Sequence, residues 1–90
     1  MFDAYIKETV HEAGDQLMNA GCTIDKYGDN FLSARDSNNR QVSIIFTPAG
    51  WGKVKVSARR DRDSKEDRID LSGTDPKMLA GHAIYKMGLF

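Results

Sequence analysis

Apolar positions change their spacing twice along the chain, and the changes divide it into a helix, a run of strands and a second helix. Phe2, Ile6, Val10, Ala13 and Leu17 recur at helical intervals, which places them on one stripe of a 3.6-residue helix. Glu8, Glu12 and Asp15 fall on nearly the opposite side, so this helix is predicted to turn an acidic face outward. Asp3 and Lys7 stand four apart and are expected to pair near its start. Gly21 follows the last periodic position and is the expected stop.

From Cys22 to Leu71 the period becomes two. Segments 22–26 and 30–35 are predicted strands joined by the Tyr27-Gly28-Asp29 turn. Asp36-Ser37-Asn38-Asn39 is a dense turn signal, because short polar side chains bond their own backbone and tolerate left-handed conformations. The next strand covers 40–47, with Val42, Ile44 and Phe46 on one face. Residues 48–52, Pro-Ala-Gly-Trp-Gly, form a loop. Beyond it, residues 53–60 alternate cleanly: Val54, Val56 and Ala58 face inward, while Lys53, Lys55 and Arg59 face water, with Arg60 at the end of that row. The charged stretch 61–67 is expected to be a solvated loop, and Ile69 and Leu71 a last short strand. Consecutive strands with short connections imply an antiparallel meander.

The second helix has clear boundaries. Thr74 or Asp75 can cap it, and Pro76 suits the first turn, where a missing N–H costs nothing. Leu79, Ala80, Ala83, Ile84 and Met87 make its core stripe, Gly88 stands at the position of a left-handed C′ residue, and Leu89 is expected to touch Ile84. The expected fold class is therefore α+β, a single domain over 1–90 in the order α-β-β-β-β-(β)-α. It has two layers, with both helices on one face of a four- to five-stranded antiparallel meander.

Composition adds three points. Apolar residues make up 40% of the chain, enough for one modest core, and the single cysteine, Cys22, excludes an intramolecular disulfide. With no apolar run of signal-peptide or membrane-span type, a soluble cytoplasmic protein is expected. Formal net charge is zero, yet it is unevenly spread. Residues 1–34 carry two positive and six negative side chains, residues 35–60 six positive and one negative. Two layers so charged make an electrostatically two-sided molecule, and exclude both a polycation and an acidic nucleic-acid mimic.

Three constellations are candidate binding surfaces. Arg35, Arg40, Lys53, Lys55, Arg59 and Arg60 could follow a phosphate backbone or an acidic protein surface, although an open sheet face is polar in any case, and Lys and Arg also protect edges. Trp51, between Gly50 and Gly52, could anchor an interface or stack on a base, or fold back over a thin core. Met78, His82 and Tyr85 stand at i, i+4 and i+7, away from the core stripe, and suit a partner or homodimer surface as well as they suit internal packing.

Catalytic and metal motifs are weaker. Residues 47–53 have Thr47 where a phosphate loop needs its first glycine. Residues 61–65 place Lys65 where a calcium loop needs a ligand. His11-Glu12 has no second histidine at zinc spacing. Cys22 beside His11 or His82 would be needed for a nucleophile–base pair; a small buried core cysteine is the simpler reading. No cofactor or metal is expected. The helix–strands–helix outline is similar to that of the double-stranded-RNA-binding domain, whose last helix opens with clustered lysines. Here residues 74–78 offer only Lys77, beside Asp75, and the resemblance stops at topology.

The expected function is that of a small non-enzymatic module that binds another macromolecule, foremost a protein. Accessory proteins and phage-encoded inhibitors are examples of this size class. The alternative is nucleic-acid binding through the basic sheet face, and a small enzyme comes third.

Overall fold

In a computed structural model, residues 2–86 are described. Helix α1 (Phe2–Asn19) leads into five strands, β1 (Thr23–Tyr27), β2 (Phe31–Arg35), β3 (Gln41–Pro48), β4 (Lys53–Arg60) and β5 (Asp63–Asp70). A short helix α2 (Pro76–Gly81) then continues into a π-helical segment, His82–Lys86. The strands pair antiparallel in sequence order, β1-β2-β3-β4-β5. This is the predicted α+β meander with terminal helices.

The core lies between one sheet face and the helices. Ile6, Val10, Ala13 and Leu17 of α1 meet Leu32, Val42, Ile44, Phe46, Val54 and Val56 from the strands, with Leu79 and Ile84 closing the other side. Thr9 and Gly14 join the buried stripe of α1. Thr9 donates its hydroxyl to the Tyr5 carbonyl at 2.9 Å, which satisfies this polar side chain in an apolar core. Gly14 lets the Tyr27 ring lie across the helix, since an added methyl would collide with that ring.

Helix α1 stops where Gly21 adopts φ 93°. The Cys22 amide donates to the Leu17 carbonyl at 2.9 Å and the Gly21 amide to Met18 at 3.0 Å, a Schellman arrangement whose flanking pair, Leu17 and Cys22, is buried. At the start of α2, the Asp75 carboxylate accepts from the Met78 amide at 2.8 Å and Pro76 occupies the first turn. Helix α1 is tied to the segment leading into α2, Tyr5 donating its hydroxyl to the Thr74 carbonyl. The expected contributions of Met87, Gly88 and Leu89 lie outside the described residues.

Two expectations are corrected. The stretch 61–67 is not a loop: Asp61–Arg62 is a two-residue turn, and Asp63–Asp70 is a full strand on β4. Only Ile69 of β5 is partly buried, so both faces are wet and no alternation marks it. Lys7 reaches Asp29 at 3.7 Å rather than Asp3.

Candidate functional site

Strand β4 positions the main surface. Its register with β5 sets Lys53 opposite Asp70, Lys55 opposite Arg68, Ser57 opposite Glu66 and Arg59 opposite Ser64. Directly opposed residues share a face, so these eight point away from the helices. On the other side, Ser57 opposes Ile45, and Ile45 opposes Phe31 of β2. The outer face is thus cationic toward β5 and has an apolar pair, Ile45 and Phe31, toward β2. A shallow depression of about 530 Å³ opens over Ser43, Ile45, Ser57 and Arg59.

At one end of this face stands the β3–β4 hairpin. Its tip is closed by the Ala49 amide donating to the Lys53 carbonyl at 3.1 Å and the Lys53 amide to Gly50 at 3.3 Å. Leu71, just past β5, donates its amide to the Gly52 carbonyl at 2.9 Å. Gly50 sits at φ 116° and Gly52 at φ 66°, backbone states that glycine adopts without strain. The tied loop holds Trp51 clear of the protein, 100% exposed. Folding back over the core is ruled out for this residue.

The predicted cations divide. Lys53, Lys55 and Arg59 lie on the outer face as expected. Arg59 is turned to the Asp61 carbonyl at 3.1 Å, and Lys55 reaches Glu66 at 3.6 Å. Arg35 shares that face but is gripped by Asp25, its Nε and Nη2 donating to the carboxylate at 3.0–3.2 Å. Arg40 lies in the β2–β3 turn, off the face. Arg60 does not end the outer row: it has the parity of Val54 and Val56, and its Nε donates to Asp36 at 3.1 Å.

Asp36 is the hub of that turn. Its carboxylate accepts from the amides of Arg40 and Asn38, each at 2.9 Å, as well as from Arg60, and its side chain is only 5% exposed. These bonds, that from the Arg40 amide foremost, hold its pKa below the usual carboxylate value. Burial, reinforced by the Asp36 charge and opposed by Arg60, pushes the Cys22 thiol upward, away from the thiolate that nucleophilic chemistry needs. Both histidines are engaged elsewhere, His11 stacked on Tyr27 at 4.8 Å and His82 Nε2 lying 2.7 Å from Asp67 Oδ2.

The structure keeps Met78, His82 and Tyr85 together. With Ile69, Thr74 and Lys86 they line a groove of about 380 Å³ between β5 and the C-terminal helix. Met78 and Tyr85 are exposed, while His82 is half-buried against Asp67. Among the described residues no group of three His, Cys, Asp or Glu side chains is placed to hold a metal ion, and no helix is long and apolar enough to cross a membrane.

Sequence reasoning missed Arg68, which faces outward directly opposite Lys55. Counting residues back from a two-residue turn at 61–62 would have found it. Compared with protein-family models, with curated proteins and with solved structures, the chain matches none.

Proposed function

We propose that this protein is a non-catalytic binding module, of accessory or inhibitor type, that engages another protein through Trp51 and the adjoining cationic sheet face. The observation that carries this reading is the complete exposure of Trp51 on a hairpin closed by backbone bonds at its base. An aromatic side chain buries about 150–250 Å², and truncating one at the centre of an interface costs about 2 kcal/mol or more. An exposed ion pair contributes about 0.2–1 kcal/mol. Trp51 therefore sets affinity, while Lys53 and Lys55 set orientation and encounter rate. The closed loop limits the entropy lost on docking.

The test is capture from cell lysate on immobilised protein, comparing the native chain with Trp51→Ala at about 150 and 500 mM salt. A protein retained by the native chain at both salts and lost with Trp51→Ala is the expected result. Equal retention by the variant would sink the reading. Fluorescence anisotropy of random-sequence DNA and RNA, titrated at about 50 mM salt, is expected to stay flat. Micromolar binding that collapses at about 200 mM would establish the nucleic-acid alternative instead.

A further inference from the structure

The outer face carries an arrangement that nothing in the fold requires. Lys55 and Arg68 are directly opposed across β4 and β5, and like charges in that relation destabilise a sheet. Their β-carbons stand about 4.5–5.5 Å apart at such a position. Lys53 precedes Lys55 by two residues, about 7 Å along the strand, on the Trp51 side. Glu66 relieves Lys55 in part at 3.6 Å and Asp70 stands directly opposite Lys53, but among the described residues neither Lys53 nor Arg68 comes within ion-pair distance of a carboxylate. The outer face thus holds three cations, interleaved with Glu66 and Asp70, next to the hairpin that carries the exposed Trp51. By contrast, two arginines toward the other end of the sheet are neutralised, Arg35 with Asp25 and Arg60 with Asp36.

We infer that Trp51, Lys53, Lys55 and Arg68 act as one anchor, which seats on a partner protein at an apolar socket bordered by carboxylates. The inference rests on the protein-binding reading above and adds the chemistry of the surface recognised. Burying Trp51 in the socket brings the partner's Asp or Glu side chains onto the cluster, and the Lys55–Arg68 repulsion becomes shared attraction. A phosphate backbone fits this surface less well. Along β5, Arg68 stands between the outward-facing Glu66 and Asp70, which would repel a continuous anionic strand but leave room for separate carboxylates. A formal net charge of zero likewise provides no long-range field for a polyanion.

The probe is a synthetic peptide with a central Leu-Leu-Phe flanked on each side by pairs of Glu, with its Gln-for-Glu counterpart as control, titrated into the ¹⁵N-labelled full chain. The expected result is perturbation by the Glu peptide of the Trp51 indole and of the Lys53, Lys55 and Arg68 amides. Binding should weaken at least tenfold between about 50 and 500 mM salt, and at least tenfold in the double variant Lys53→Gln/Arg68→Gln. Arg59→Gln should leave it within twofold. No perturbation by the Glu peptide at the lower salt, equal binding of the Gln peptide, perturbation centred on Arg59 or Lys26, or tighter binding of oligo-dT at these residues would each overturn the inference. Both variants alter exposed side chains, and an unchanged amide spectrum before titration shows that they fold. Failure of the two readings is distinguishable: Trp51-dependent capture that survives Lys53→Gln/Arg68→Gln removes the carboxylate socket alone, whereas loss of Trp51 dependence removes the binding function itself.

Discussion

The two ends of β4 carry cations of opposite fate. At the Arg60 end, Arg60 donates to a nearly buried Asp36, Arg59 to the Asp61 carbonyl, and two strands away on β2 Arg35 is held by Asp25. At the Lys53 end, Lys53 and Arg68 have no such partner among the described residues, and Trp51 stands exposed beside them. A run of basic residues along one strand is thus two features: a folded polar hub and an open surface. Alternation along a strand reports which side chains face water, but only cross-strand register reports which of them are already satisfied.

The largest expected effect erases both ends together. Phe46→Ala removes a fully buried ring that opposes Val56 and should cost about 3–5 kcal/mol, read as a large fall in Tm with loss of cooperative unfolding. Next, Asp36→Ala should lower Tm clearly while leaving Trp51-dependent capture intact. It strands the Arg40 and Asn38 amides and frees Arg60 from its carboxylate, all at the satisfied end. Equal stability of this variant would contradict the hub.

Acid titration sharpens the same point. The Asp36 pKa is lowered by folding, so its contribution is fully present above the ordinary carboxylate value of 3.8 and is lost as pH falls below that toward its folded value. Urea unfolding between pH 5 and about 2 should therefore show a steeper acid loss for the native chain than for Asp36→Asn. The open end should respond with the reverse sign: Arg68→Gln is expected to raise stability by about 0.2–1 kcal/mol by removing the charge opposite Lys55. The smallest change is expected from Trp51→Ala, within about 0.5 kcal/mol of native, because no core contact is lost.

Much of the frame was readable from residues alone. The stripe from Ile6 to Leu17, the alternation of β3 and β4, and the Asp75-Pro76 helix start each follow a local rule that tertiary packing does not override. Strand β5 was not readable, since alternation appears only where one face is buried, and the helices leave nearly all of this strand uncovered. The widening of the last helix into a π segment at His82–Lys86 has no local signature among those residues. For the site, Lys53, Lys55 and Arg59 follow from alternation, but Arg60 needed strict parity: it is an even position like Val54, and belongs to the helix side. Trp51 was undecided between core and solvent because glycines on both sides permit either. Arg68 required the pairing of β5 to be known.

The bareness of β5 reaches into hydrogen exchange. Ile69 is its one partly buried apolar side chain, so peeling the strand from β4 exposes little hydrocarbon and costs far less than global unfolding. Its amides should exchange through such local opening, well ahead of those in β3. Each opening carries Arg68 away from Lys55 and breaks the Asp67–His82 contact on the other face. The two surfaces of the molecule would then lose a member in the same event, and a partner that clamps β5 at either one would slow exchange at both.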